Sequence, residues 1–397
     1  MCRHVADPAR RGRHATLRDM HPGPSTGSNK PVQITPGQAV SRWVLDAMEV
    51  FMDVAEVKEV ARQWVAEKAS KDPGFYGAYF SGSINWMSEK AIFPSTSDVD
   101  VQIVLEGSDV PDYTRKFLYQ EVLLETAYQP SDRYQSPDKI LGDYSKACHF
   151  TRSNVILDPF GQLTKIQNVV SRDYAKRIWV YKRCEHARDW LLSSLEWLDE
   201  SEPLYDQVFS WLYAASISPH IILVAGLKNP TVRKGFIAAR ELLARYNQLH
   251  IYDSMLDIIG VAKISRAQAE SHLAALIEVF DVAKQYAKTP FFLSTNISDL
   301  ARPLMIDGTR ELIEIGYHRE ATFWMAAVYS WCQKILFNDA PEDIQNRFTP
   351  AFRVFLSELG IDAPSDLQKR NQLNLETLPS IWTVAEKIIA TNPEIQE

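Results

Sequence analysis

Apolar residues follow two different spacings along the chain, and the change between them indicates how it is organised. Residues 41–70 carry apolar positions at three- and four-residue intervals, which predicts helix. Short apolar runs bounded by Gly, Pro or polar clusters then predict strands, the third with a turn near Gln120. These runs are residues 76–80, 99–105, 117–128 and 154–157. The segment from about 72 to 165 is therefore expected to be a small mixed α/β unit.

Beyond about residue 170 the helical spacing returns and persists to the end of the chain. Ser265 and Gln268 form a capping box, which predicts a helix start between them. The other predicted helices are residues 172–198, 231–246, 309–315, 319–336, 345–359 and 378–389. The longest uninterrupted apolar run, residues 221–227, is far shorter than the ~18 residues of a membrane helix. No membrane association is expected.

The predicted organisation has three parts. Residues 1–37 form a basic tail, rich in Arg, Pro and Gly and expected to be disordered. Residues 38–170 form the α/β domain with its N-terminal helices, and residues 171–397 form a larger all-helical domain. The tail has no apolar core of a secretory signal, and its acidic residues and prolines disfavour a transit peptide. A start codon placed too early, with Met20 as the true start, would also explain it.

Composition narrows the function classes. The 397 residues are 46% hydrophobic and carry a net charge of −7, so the chain has no general affinity for nucleic acid on electrostatic grounds. The four cysteines form no Cys-x-x-Cys pair, which argues against a zinc site or a disulfide framework. A reducing, cytoplasmic location is expected. The sequence leaves a homodimer open.

Two aspartates lie in a pattern suited to metal binding. In Ser97-Asp98-Val99-Asp100-Val101 the aspartates are two residues apart, so a strand directs both to one face. Val99, Val101 and Ile103 then share the opposite face and are expected to pack on the core. Carboxylates are the ligands that Mg²⁺ prefers, and Mn²⁺ remains an alternative.

Gly82-Ser83 and Glu125 extend this candidate site. Gly82 permits close approach of a ligand to the backbone, and Ser83 offers a hydroxyl at an expected helix N-terminus. Glu125 is a charge within the otherwise apolar run of residues 122–127, a costly placement without a metal or a partner. Asp158, in a turn sequence, is the alternative third carboxylate.

The sequence contains Gly-Ser, a variable loop, Asp-x-Asp after a small residue, and a third acid on a later strand. This pattern resembles that of the nucleotidyltransferase superfamily, which includes polymerase β-like enzymes and aminoglycoside nucleotidyltransferases. Uncharacterised bacterial nucleotidyltransferase-domain proteins of this size are also similar. The resemblance covers about a quarter of the chain, and the loop of residues 84–96 is longer than in the small members. It implies an α/β nucleotidyltransferase-like catalytic domain, metal ligation by Asp98 and Asp100 with help from Glu125, and nucleotide contacts by Gly82, Ser83 and Ser97.

A cation for the triphosphate is sought among the basic residues of the helical part. The predicted helix 172–198 carries five of them, with Lys182 the selected nucleotide-binding candidate, although such residues are more often a solvated face. They are Lys176, Arg177, Lys182, Arg183 and Arg188. Arg233 and Lys234 offer a similar, weaker case.

The expected activity is transfer of NMP, with AMP preferred, from an NTP such as ATP to a small-molecule acceptor, with pyrophosphate release. A nucleotidyltransferase acting on protein, RNA or a nucleotide is one alternative, and it requires a basic track from Lys176 to Arg188 that continues into the site. A catalytically silent nucleotide-binding or interaction protein is the other.

Overall fold

A computed structural model describes residues 52–111 and 113–397 of the chain. The predicted basic tail and the first part of the helix predicted from residue 41 lie outside these residues. The described remainder of that prediction is confirmed as α1 (Val54–Glu67). Asp53 caps it, because its carboxylate accepts the backbone N–H of Glu56 while the Glu56 side chain accepts the backbone N–H of Asp53.

Within the described residues the strands form one mixed sheet with the order β3-β4-β2-β1-β5. Strands β2 and β4 are parallel neighbours, and the other adjacent pairs are antiparallel. The strands are β1 (Phe75–Ser81), β2 (Val99–Leu105), β3 (Thr114–Tyr119), β4 (Val122–Pro130) and β5 (Val155–Leu157). The predicted small mixed α/β unit is thus present, and the strands predicted at 76–80, 99–105 and 154–157 are confirmed.

The strand predicted over residues 117–128 is in fact a hairpin of two strands that starts earlier, at Thr114, and the turn predicted near Gln120 is confirmed. Strands β3 and β4 pair from Thr114↔Ala127 to Tyr119↔Val122, leaving two residues in the turn. Gln120 and Glu121 there have φ values of 45° and 65°. Positive φ at both central residues is the geometry of a type I′ turn, which normally selects Asn and Gly. The polar residues at the start of β3 explain why its beginning was predicted too late.

One face of the sheet packs on α1. Val99, Val101 and Ile103 are fully buried there with apolar residues of α1, as the alternation along β2 predicts. The polar positions of β2 are thereby directed to the opposite face. This division fixes the side of the sheet on which Asp98 and Asp100 lie.

Twelve α-helices account for most of the remaining described residues. After α1 they are α2 (Pro137–Gly142), α3 (Gln162–Asp173), α4 (Arg177–Leu195), α5 (Leu204–Ala225), α6 (Gly235–Arg245), α7 (His250–Ile258), α8 (Arg266–Tyr286), α9 (Gly308–Glu314), α10 (His318–Asp339), α11 (Glu342–Glu358) and α12 (Pro364–Thr391). The capping box before α8 is confirmed. The helix predicted at 378–389 is the second half of the longer α12. Whether residue 170 divides two domains stays a prediction.

The helix predicted over residues 172–198 is present as α4, but its predicted start is wrong. The chain leaves α3 after Asp173 and starts α4 at Arg177, with Lys176 in an extended conformation. Arg183, fully buried, donates to the carbonyl oxygens of Tyr174 (2.6 Å) and Leu141 (3.2 Å). No Gly or Pro marks this break in the sequence. The tertiary contact of the buried Arg183 guanidinium stabilises it instead.

Helix α5 is more apolar than the sequence analysis anticipated. In the described part of the chain it is the one helix whose length and composition would suffice to cross a membrane. Most of its side chains are buried, and it packs against α4, α6, α10 and α12. Its polar residues, such as Gln207 and Ser218, divide its sequence into short apolar runs. The search for one long uninterrupted run therefore did not detect this helix.

Candidate functional site

Strand register brings the predicted acidic residues together on the polar face of the sheet. Asp100 on β2 lies directly opposite Glu125 on the parallel strand β4. Asp98, two residues before Asp100, is directed to the same face. One carboxylate oxygen from each of the three residues lies within 4.8 Å of the others. Hard oxygen donors at this spacing fit a small divalent cation such as Mg²⁺.

Lys116 of β3 joins this cluster and is the principal residue that sequence reasoning missed. It lies opposite Glu125, so Asp100, Glu125 and Lys116 form one row across three adjacent strands. Its ammonium donates to Asp98 Oδ2 and Glu125 Oε2. The Lys116 side chain is 3% exposed and that of Asp98 is 16% exposed, so Asp98 is the more accessible end of the cluster.

The signal for Lys116 exists in the sequence but depends on recognising the hairpin. Pairing Tyr119 with Val122 places Lys116 opposite Glu125 by counting three residues along each strand. The turn was predicted only approximately, near Gln120, so the register could not be counted from the sequence. The tertiary register, rather than any local motif, identifies this lysine.

Gly82 makes room for Asp100 rather than only for a ligand. It has φ 71° and ψ −155°, a conformation essentially restricted to glycine. A Cβ built on it would lie 2.8 Å from Asp100 Cγ and would overlap the carboxylate. The glycine of the Gly82-Ser83 motif therefore permits the position of a candidate metal ligand.

Ser83 begins a single 3₁₀ turn, Ser83–Trp86, instead of the expected helix. Asn85 fixes this turn by donating to the carbonyl oxygen of Phe80 at 2.8 Å. The expected helix-dipole contribution is accordingly absent at this position. Ser97 is half-buried immediately before Asp98, and its backbone N–H donates to Pro94 at 3.0 Å.

A chain of side-chain hydrogen bonds continues along the same face of the sheet. Gln102 donates to Ser81 Oγ at 2.9 Å, and Gln129 donates to Gln102 Oε1 at 2.8 Å. Ser81 pairs in register with Asp100. These buried groups restrain the polar side of β2 beside the acidic cluster.

Arg233, at the start of α6, connects the motif loop to the helical region. Its guanidinium donates to the carbonyl oxygens of Thr96 (3.1 Å) and Leu304 (2.8 Å). Burial lowers the pKa of Arg233, whereas the nearby carboxylates of Asp98 and Glu311 act in the opposite direction. Arg233 thus contributes positive charge close to Asp98, a role for which the sequence offered it as the weaker candidate.

Thr96 is held from the other side by α9. Its hydroxyl donates to Glu311 Oε2 at 3.0 Å, and Gly308 lies close to both Thr96 and Arg233. A Cβ on Gly308 would lie 2.9 Å from Arg233 Nη1 and 3.4 Å from Thr96 Cβ. Thr96, which precedes Ser97-Asp98, is therefore clamped between Glu311 of α9 and Arg233 of the turn before α6.

The basic residues on α4 have other structural partners. The selected candidate Lys182 is exposed, and its Nζ lies 4.3 Å from the centroid of the Trp179 ring. Arg177 pairs with Glu397, and Arg183 is buried. Lys176 pairs with Asp173 and Arg188 with Asp189. These contacts match the interpretation of the stretch as a structural and solvated face.

Asp158, the alternative third carboxylate, lies apart from the cluster. Leu157 pairs with Ala78, so the chain passes Asp158 toward the start of β1, away from Gly82. Asp158 Oδ2 accepts the backbone N–H of Thr164 at 2.8 Å. It serves the turn before α3, which is the role that its turn sequence indicates.

Comparison with known proteins assigns no family to this arrangement. No family model matches the chain, and no curated protein matches it significantly. The functional assignment therefore rests on the site itself. It combines three carboxylates, the buried ammonium of Lys116, the close contact of Gly82 with Asp100, and the hydrogen bond from Arg233 to the loop before Asp98.

Proposed function

We propose that this protein is a metal-dependent nucleotidyltransferase that moves NMP, with AMP expected, from an NTP to a small-molecule acceptor and releases pyrophosphate. One observation carries the proposal. Asp98, Asp100 and Glu125, selected by their sequence pattern, converge from two adjacent strands to within 4.8 Å. The neighbouring β1–β2 pair, in which Ser81 lies opposite Asp100, places Gly82 against the Asp100 carboxylate.

Asp98, Asp100 and Glu125 would hold the Mg²⁺ or Mn²⁺ ion. When bound, the ion would neutralise charge on the phosphate oxygens and orient them for attack at the α-phosphorus. The protein's own contribution is orientation. Gly82 and the β2–β4 pairing restrain Asp100 and Glu125, and the clamp on Thr96 restrains Asp98.

Positive charge for the triphosphate would come from the start of α6. Arg233 is bonded to two carbonyl oxygens, so it contributes mainly its field near Asp98. Lys234 is exposed beside it and is suited to meet phosphate oxygens directly. Ser83 and Ser97 would add hydroxyl donors. Lys182 is no longer the preferred cation for the triphosphate, because its ammonium packs on the Trp179 ring.

A small acceptor is favoured over RNA. The chain carries a net charge of −7, and three basic residues of the stretch 176–188, Lys176, Arg177 and Arg188, pair with carboxylates. A polynucleotide needs a continuous basic groove for its phosphates. A compact hydroxyl- or amine-bearing acceptor needs none.

The test is pyrophosphate release from each of the four ribonucleoside triphosphates with Mg²⁺ or Mn²⁺, using panels of polyols, aminosugars, nucleotides, protein and RNA. Asp98→Asn and Asp100→Asn should each lower kcat at least ~100-fold, since each removes a metal-ligating charge. Glu106→Gln is the matched control, because it changes an exposed carboxylate just beyond the far end of β2. Loss of activity in the control alone would contradict the assignment.

The third carboxylate has its own comparison. Glu125→Gln should behave like Asp98→Asn, whereas Asp158→Asn should keep the activity of the wild type. The opposite result would move the site toward β5 and refute Glu125 as a ligand.

A catalytically silent nucleotide-binding protein is the second candidate, and Lys116 is the observation that favours it. Its ammonium already pairs with two of the three carboxylates, Asp98 and Glu125, which reduces the need for a metal to balance their charge. This candidate predicts triphosphate binding without pyrophosphate release for every acceptor.

A further inference from the structure

The position of Lys116 has a consequence for how the site accepts a cation. Its ammonium donates to one oxygen of Asp98 and to one oxygen of Glu125. These are two of the three carboxylates that would ligate the metal. The lysine therefore occupies part of the space in which a divalent cation would be bound.

The Lys116 ammonium and a divalent cation would repel each other if both were bound to these carboxylate oxygens. A Mg²⁺ ion lies ~2 Å from its oxygen ligands, and an ammonium lies ~2.8 Å from its acceptors. An ion on the same carboxylates would thus be within a few ångströms of Lys116 Nζ. At that separation, in a site where Lys116 is 3% exposed, repulsion between like charges is weakly screened.

Lys116 lies on an edge strand. Strand β3 is at the edge of the sheet, so it has a hydrogen-bonded strand neighbour on one side only. Lysine has a long flexible side chain with a strongly hydrated head group. Rotation of this side chain toward solvent needs no change in the β3–β4 ladder.

We infer that Lys116 is a built-in competitor of the divalent cation: its ammonium holds Asp98 and Glu125 before the metal binds and leaves them as the metal enters. This inference rests on the proposed function, since it assumes that the carboxylates take up a metal. It assigns to Lys116 the control of metal affinity, in addition to stabilising the metal-free fold.

The first experiment measures Mn²⁺ binding by titration calorimetry and by the EPR signal of free Mn²⁺. Lys116→Met should bind Mn²⁺ at least ~10-fold more tightly than the wild type, because the competing charge is gone. Arg115→Met is the matched control. It removes the same charge from the adjacent residue, which is exposed and on the other face of β3, and should change Mn²⁺ affinity less than ~2-fold.

The second experiment uses the wild-type protein and therefore does not depend on how the variant folds. Lysines are acetylated with acetic anhydride, with and without Mn²⁺, and modification of each is measured by mass spectrometry. Lys116 should be modified slowly without Mn²⁺ and at least ~5-fold faster with it, as displacement exposes the amine. Lys369, with a side chain 74% exposed, provides the reference and should not respond.

The outcomes separate the inference from the proposed function. Equal or weaker Mn²⁺ binding by Lys116→Met, or unchanged acetylation of Lys116 when the wild type binds Mn²⁺, overturns the competitor role and leaves the metal site standing. Absence of Mn²⁺ binding from both proteins, with or without ATP, overturns the inference and the metal-dependent function together. Binding by Lys116→Met alone supports the competitor role in its strongest form.

Discussion

Replacing Gly82 with alanine tests the geometry on which Asp100 depends. Glycine at this position has φ 71° and ψ −155°, where an L-residue is strained by about 1–3 kcal/mol. The new methyl group would also overlap the Asp100 carboxylate, with Cγ only 2.8 Å away. Forcing such an overlap in a packed site costs about 1–3 kcal/mol. We expect Gly82→Ala to lower the free energy of unfolding by about 2–6 kcal/mol in total.

A double-mutant cycle separates the two contributions. In an Asp100→Ala background the overlapping carboxylate is absent, so Gly82→Ala should cost about 1–3 kcal/mol less than in the wild type. Gly161→Ala is the control for positive φ alone. Gly161 has φ 71° and ψ 3° with no atom near the added Cβ, so the cost should be about 1–2 kcal/mol.

Urea unfolding followed by tryptophan fluorescence supplies these free energies, and unchanged m-values would validate the comparison. Mn²⁺ titration of Gly82→Ala should show weaker binding if Asp100 relieves the overlap by rotating away. The reasoning is refuted if Gly82→Ala costs no more than Gly161→Ala, shows no coupling to Asp100 and binds Mn²⁺ normally.

Three further outcomes follow from contacts described above. Arg233→Met should cost about 2–3 kcal/mol in urea unfolding and lower the kcat of nucleotidyl transfer, because it leaves the Thr96 carbonyl without this donor near the motif. Arg183→Met should cost about 2–4 kcal/mol by the same assay, since a fully buried guanidinium bridges two carbonyls between α2, α3 and α4. Burial lowers the pKa of His149 to about 3 and that of His220 to about 4. Because the unfolded chain takes up these protons near pH 6.5, stability should be full above pH 7 and fall toward pH 4, by about 2 kcal/mol per histidine at pH 5, in urea titrations across pH.

Exposed residues of the same types provide the controls. Arg240→Met, on α6 beyond Arg233, should leave both stability and kcat within the error of the measurement. His250→Gln should leave the pH profile of stability unchanged, whereas His149→Gln combined with His220→Gln should flatten it. A steep acid loss that persists in the double variant would assign the effect to other groups.

The sequence predicted those parts of the fold whose signals are local. Alternation along residues 99–105 and the flanking polar clusters were sufficient to define β2 and to separate Asp98 and Asp100 from the valines. The capping box at Ser265 was sufficient to place the start of α8. These features depend on the preferences of a few neighbouring residues, which a single sequence displays directly.

Features that depend on distant partners escaped prediction. The break before α4 is stabilised by Arg183, which lies seven residues beyond Lys176 along the helix and shows no helix-ending signal. Lys116 joined the site through strand register. Arg233, which the sequence offered only as a weaker cation candidate, contacts a loop more than one hundred residues earlier in the chain. Such contacts are fixed by the packed structure and leave no periodic trace.

The length of the two-residue turn at Gln120 and Glu121 determines which side chain of β3 lies opposite Glu125. Side chains alternate between the faces of a strand, so one residue added to this turn would shift β3 by one position against β4. The residue opposite Glu125 would then be an aromatic or an arginine, and the lysine would point into the other layer. Insertions and deletions at this exposed tip, about 10 Å from Glu125 along the strand at 3.3 Å per residue, would therefore change which charge the carboxylates meet. Under the proposed function, the loop length would therefore determine cation selectivity, and it can be varied without substituting any residue of the cluster.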